Sequence, residues 1–188
     1  ILELDVLQPD YIGLIFYEKS PRFIGKNTIP KTNAEKVGVF VNSSLDYILA
    51  QAKKYDFKTI QLHGDETISL AKSLFEKGFN IIKNFSVSDT IDNELMAEWQ
   101  PFCEYFLFDT HGKGYGGTGK KFDWNLLQDY KLEKPFILSG GISFDDIAEI
   151  KKINHKAFAG IDLNSQFEIE PGLKNIEKLK LFIDEIRK

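Results

Sequence analysis

Several side chains able to do chemistry stand where short apolar runs end. His63 follows Ile60-Gln61-Leu62, Asp109 follows Phe106-Leu107-Phe108, and Asp162 falls near the close of the last such run, 157 to 163. A carboxyl group closing an apolar strand at a barrel rim is partly buried. Burial raises its pKa and lets it act as a general acid near neutral pH. The plainer reading of Asp109 is an aspartate that ties down the next loop, and the plainer reading of His63 is a packing histidine. Arg22, in Glu18-Lys19-Ser20-Pro21-Arg22-Phe23, offers a planar fork suited to a carboxylate or phosphate. Taken alone it reads equally as a solvated surface arginine.

Two turns are rich in backbone amides. Gly140 and Gly141, in Ser139-Gly140-Gly141-Ile142, precede a helix start, and Asn164-Ser165 is followed by Pro171-Gly172-Leu173-Lys174. Adjacent glycines let amide N–H groups approach an anion closely. In parallel barrels, phosphate sites are built after strands 7 and 8. The pair of turns therefore points to a phosphorylated small-molecule substrate, although either alone would serve as an ordinary helix entry.

The loop 111 to 120 is glycine-rich. Gly112, Gly114 and Gly117 formally satisfy a dinucleotide-binding fingerprint. They do not open a helix, since the helical pattern starts near Asp123-Trp124. About 20 residues on, where that fingerprint needs an acid, stands Ile137. A lid that folds over substrate is the better reading.

The elements that must position these groups alternate strictly. Strands are expected at 11–17, 36–41, 59–62, 80–85, 105–109, 135–139 and 157–163. Helical patterns lie at 43–55, 65–77, 92–99, 124–130, 143–153 and 175–187, with Ser43, Asp65 and Ser143 as capping residues. Runs such as Val37-Gly38-Val39-Phe40-Val41 are almost wholly apolar, as in strands of a parallel sheet covered by helices. That density of strand and helix admits a doubly wound open sheet or a closed (β/α)8 barrel. Either way, ligands meet the C-terminal ends of the strands.

The 188 residues suit one domain spanning 1–188. Apolar residues make up 43% and charged residues 28%, and the net charge is −4 with no basic cluster, which argues against a nucleic-acid or anionic-membrane partner. No apolar run approaches the roughly 20 residues of a membrane span. The single cysteine has no intrachain disulfide partner. A reducing, cytoplasmic setting is expected, with the chain acting as a monomer and a dimer as the alternative.

Taken together, FYEKSPRFIG (16–25), KVGVFVN (36–42), IQLHGDE (60–66), FDTHGKGYGGTGKKFDW (108–124), LSGGI (138–142) and GIDLNSQFEIEPGLKN (160–175) resemble the phosphoribosylanthranilate isomerase family over nearly the whole chain. The block 108–124 is the most specific, whereas LSGGI is shared with other phosphate-binding barrels. The resemblance implies an α/β TIM barrel and an Amadori rearrangement in tryptophan biosynthesis, without metal or cofactor. It places Asp109 as the acid that protonates the furanose oxygen and Arg22 on the anthranilate carboxylate. His63 and Asp162 would line the substrate, and Gly140, Gly141, Asn164 and Ser165 would cradle the phosphate.

Two departures stand out. The family's base is a cysteine on a first strand, in a Lys-x-Cys-Gly setting absent from the printed sequence, and only seven strands are legible. Cys103 precedes its strand and so belongs to the opposite face. The expectation is about 20 further upstream residues, the rest of one strand–helix unit. Gln166 stands where the family often has glycine, which would strain a turn needing positive φ. Two alternatives remain: another sugar-phosphate isomerase or epimerase on the same scaffold, and a phosphate-binding barrel fragment without catalysis.

Overall fold

The computed structural model describes residues 1–110 and 121–188 of the chain. The lid reading of 111–120 lies outside the described residues. Among the described residues, seven parallel strands form one sheet: β1 (Tyr11–Ile15), β2 (Glu35–Phe40), β3 (Thr59–Leu62), β4 (Asn80–Val87), β5 (Tyr105–Thr110), β6 (Phe136–Leu138) and β7 (Phe158–Ile161). Their order in space is their order in sequence, β1 to β7, each hydrogen-bonded to the next. A doubly wound sheet reverses its strand order at a switch point. This one never does, which decides between the two architectures: it is a curled barrel wall with β1 and β7 at its two edges.

Helices cover the outer surface: α1 (Leu2–Asp5), α2 (Leu45–Tyr55), α3 (Ile68–Phe75), α4 (Asn93–Trp99), α5 (Ile147–Ile150) and α6 (Ile176–Ile186). In α2 the buried residues Ile48, Ala52 and Tyr55 recur at helical spacing and face the sheet. The Ser44 hydroxyl caps its first turn by accepting from the Tyr47 amide, and Asp56 ends it in the left-handed region at φ 52°. No helix among the described residues is long and apolar enough to cross a membrane.

Side chains alternate along each strand, and this two-residue period builds the site. Outward positions such as Ile60, Leu62, Ile81, Phe85, Phe106, Phe108, Phe136 and Leu138 join the helices in one large core. There Phe108 stacks on Phe136 with ring centroids 4.9 Å apart, and both meet Tyr130 edge-on. Inward positions form a second, smaller cluster of Val37, Ile82 and Leu107, with Tyr11, Val39, Tyr105 and Ile137 packed against it. Stepping two residues along β5 from inward Leu107 reaches Asp109. In the same way Ile137 leads to Ser139 beyond the end of β6. The barrel's filling and its reactive rim therefore lie on one face.

Several expected boundaries and caps shift. The caps of α2 and α3 are Ser44 and Thr67, not Ser43 and Asp65. The delay before α3 has a cause: the Asp65 amide donates to Asn42 Oδ1, and Glu66 folds back to accept from the Gly64 amide, so the helix begins only at Ile68. Ser143 does cap, in a reciprocal box with Asp146, but it opens a 3-10 turn (Phe144–Asp146) before the short α5. Residues Trp124–Asp129 form a 3-10 helix rather than an α-helix, capped by Asp123. A hairpin of β8 (Glu168–Glu170) and β9 (Leu173–Lys174), turning at Pro171-Gly172 with Gly172 at φ 88°, went unread in the sequence. Gln166 sits in a 3-10 turn (Ser165–Phe167) and is not among the positive-φ residues, so it carries none of the expected strain.

Candidate active site

The inward rim positions converge at the C-terminal ends of β3, β5, β6 and β7. His63 Nε2 lies 3.6 Å from Asp109 Oδ2, and each side chain keeps 17% exposure towards the mouth. Asp162, just past β7, accepts from Ser139 Oγ at 3.2 Å, and its amide donates to the Leu138 carbonyl. Burial pushes the Asp109 carboxyl up, helped by nearby Asp162 and opposed by His63 and the Thr110 amide, which donates to Asp109 Oδ1 at 2.7 Å. Burial also drives the His63 imidazole down, against the pull of Asp109, Asp162 and Glu66. The pair is thus biased towards a protonated carboxyl beside a neutral imidazole, the state in which Asp109 can donate a proton.

His63 is oriented from behind. Gln61, two residues earlier on the same face and buried, places Nε2 2.8 Å from His63 Nδ1, which leaves His63 Nε2 as the nitrogen turned to Asp109. The loop carrying His63 is clamped by Lys83 on β4. Its ammonium donates to the Gly64 carbonyl at 2.6 Å and to Glu66 Oε2 at 3.0 Å, and it lies 5.1 Å from the Trp99 ring centre. Glu66 in turn accepts from the Asn42 and Gly64 amides. Both charges are almost fully buried, with side chains 6% and 1% exposed. A buried ion pair of this kind is costly to break from one side, and it ties the loop to β4 directly behind His63.

Gln61, Lys83 and Glu66 were missed in the sequence. A lysine in the otherwise apolar Ile81-Ile82-Lys83 was the available signal, since strands covered by helices admit a charge only when it is paired.

Gly140 sits against the acid. A methyl group at its Cα position would come within 2.5 Å of Asp109 Oδ1 and 2.7 Å of the Thr110 amide nitrogen, and its φ is 90°. Gly141 is also left-handed, at φ 69°. Gly140→Ala is therefore expected to combine backbone strain of roughly 1–3 kcal/mol with displacement of Asp109. A thermal melt and a kcat measurement would both fall. An alanine variant with normal kcat would remove Gly140 from the acid's setting.

The remaining expected residues form a neighbouring group. β6 and β7 are adjacent, so the Gly140-Gly141 turn and the Asn164-Ser165 turn rise side by side. Asn164 precedes a 3-10 turn, and its Oδ1 accepts from Lys174 Nζ at 2.5 Å. Arg22 forks onto Glu168, a residue unread in the sequence. Burial alone would raise the Glu168 carboxyl, but hydrogen bonds from Arg22, Lys174 and the Gly172 amide outweigh it and bring it to about 2. Cys103 is buried ahead of β5, its thiol pushed up to about 12 by burial, at the far face from Asp109. His155 likewise precedes β7, bonded to the Tyr130 carbonyl and the Ala157 amide. Among the described residues, no three His, Cys, Asp or Glu side chains gather as a metal-ligand set.

This geometry can be set beside known proteins. Residues 2–185 match the family model described as N-(5'-phosphoribosyl)anthranilate isomerase. The N-(5'-phosphoribosyl)anthranilate isomerase of Parabacteroides distasonis is 44% identical, covering 99% of this chain and 87% of the relative. That of Phocaeicola vulgatus is 39% identical over 95% of this chain and 87% of its own. Among solved structures, the phosphoribosyl anthranilate isomerase of Thermotoga maritima superposes with a TM-score of 0.80 at 30% identity, over 99% of this chain and 92% of that one. A complex of such an isomerase with reduced 1-(o-carboxyphenylamino)-1-deoxyribulose 5-phosphate superposes at 0.79 and 28% identity, over 99% and 91%.

Proposed function

The chain belongs to the N-(5'-phosphoribosyl)anthranilate isomerase family, and on that premise we propose that Asp109 is the general acid of its reaction and Arg22 the anchor of its aromatic carboxylate. The chain is an isomerase of tryptophan biosynthesis, acting on a phosphorylated aminoaldose. In that rearrangement the furanose oxygen takes a proton as its bond to C1' breaks and the nitrogen lone pair forms the C1'=N bond, giving an open-chain iminium. A general base then removes the C2' proton, giving the neutral enolamine, which tautomerises to the ketose. The proton for the ring oxygen is assigned to Asp109. The C2' proton is not assigned to Cys103, whose buried thiol lies at the far face.

What supports the reading above all is one observation: a carboxyl group at the inner rim, raised by burial, backed by His63 and approached by Gly140. The other roles follow the shape of the site. His63 and Asp162 line the sugar. The amides of Gly140, Gly141, Asn164 and Ser165 take the phosphate, so that binding at the two ends of the substrate fixes the sugar carbon between them. We place these residues in a single domain covering 1–188 and propose a cytoplasmic monomer, since none of the roles named here calls on a second copy.

The pH dependence tests the acid. Asp109 works while protonated, so kcat/KM falls as pH rises through its pKa. A raised pKa carries that limb above the ordinary carboxylate range. Asp162 adds a like charge that raises Asp109 further. Asp162→Asn is therefore expected to move the alkaline limb to lower pH. A limb left in place would argue that another group titrates there.

A further inference from the structure

Arg22 has two edges able to grip a carboxylate side-on: the lateral one, Nε with Nη2, and the terminal one, Nη1 with Nη2. The lateral edge is taken. Nε donates to both carboxylate oxygens of Glu168 at 2.9 Å, and Nη2 donates to Oε2 at 2.6 Å. Glu168 is itself fixed by the Lys174 ammonium at 3.0 Å and the Gly172 amide at 3.1 Å, with its side chain 4% exposed against 16% for Arg22. The two residues stand 146 positions apart, and their pairing ties the loop after β1 to the hairpin after β7, the loops of the two edge strands. Arg22 itself is on a short turn, where its amide donates to Ser20 Oγ at 3.2 Å. An arginine on such a loop would otherwise sample many rotamers.

We propose that Glu168 is the positioning residue for Arg22: it occupies the lateral edge of the guanidinium and so aims the terminal edge at the aromatic carboxylate of the substrate. The inference rests on the reading of Arg22 as that carboxylate's anchor. Glu168 touches no reacting atom. It converts a flexible cation into an oriented fork, and its own orientation comes from Lys174 and Gly172 rather than from substrate.

The experiment compares two ligands on the full-length natural protein by titration calorimetry: reduced 1-(o-carboxyphenylamino)-1-deoxyribulose 5-phosphate, and the same compound without the ring carboxylate. The wild-type preference for the first over the second is the readout. Glu168→Gln, which replaces a charged fork by a neutral acceptor, is expected to cut that preference about tenfold while the carboxylate-free compound binds as before. Glu168→Asp, which keeps the charge but draws it back by one methylene, is expected to fall between, and it serves if the glutamine variant does not fold. Equal weakening of both ligands, or a preference that stays or grows, would overturn the proposal. Arg22→Ala separates the two levels. If it leaves the preference at its wild-type value, the reading of Arg22 fails. If it abolishes the preference while Glu168→Gln does not alter it, only the positioning role fails.

Discussion

Asp109→Asn is expected to lower kcat by about 10²- to 10⁴-fold, the range general acid catalysis supplies, with substrate affinity largely kept. The amide is nearly isosteric with the acid and can still take the Thr110 hydrogen bond that now reaches Asp109 Oδ1. What it lacks is a proton to give. Ring opening would then have to proceed without a donor on the furanose oxygen. The environment of Asp109 supports so large an effect because burial holds the proton on it, against the pull of His63 and the Thr110 amide and with a smaller contribution from Asp162. A kcat within a few-fold of wild type would take Asp109 out of the mechanism. A loss confined to KM would make it a binding residue.

Arg22→Ala is expected to act on the other side of the ledger, raising KM about 10- to 100-fold with a smaller change in kcat. Charge-assisted hydrogen bonds contribute about 1.5–3 kcal/mol, and the terminal edge of Arg22 offers two of them. The variant should still fold, because Glu168 keeps Lys174 and the Gly172 amide as partners. Unchanged KM and kcat would refute the role. A large loss in kcat alone would place the residue at the reacting carbons instead.

The parallel strands were legible because strands buried on both sides leave an unmistakable pattern. Val37-Gly38-Val39-Phe40 and Phe106-Leu107-Phe108 were read as strands, and they are strands. What the pattern left open, sheet or barrel, depends on pairing between strands far apart in sequence, and only the unbroken order β1 to β7 settles it. Boundaries slipped where side chains compete with the helix for backbone donors. Glu66 spends its carboxylate on the Asn42 and Gly64 amides and postpones α3. His63, Asp109 and Asp162 are conspicuous in the sequence because they stand at strand ends, and the structure brings them to one rim. Glu168 is not conspicuous, since nothing local marks a glutamate whose partner lies 146 residues away. Gln61 was hidden for the opposite reason: it sits in plain view beside His63, but its contact with Nδ1 needs the strand's two-residue period as well as its sequence.

The role of Asp109 is read most plainly from the conversion itself. The full-length natural protein is mixed with freshly generated N-(5'-phosphoribosyl)anthranilate, the loss of substrate fluorescence is followed, and the product is identified by mass and carbon NMR. The expected result is rapid loss to the 1-amino-1-deoxyketose with its phosphate intact, and near-complete failure of Asp109→Asn under the same conditions. Loss no faster than the substrate's own decay would rule out the isomerase activity, and an asparagine variant as fast as wild type would rule out Asp109 as its acid.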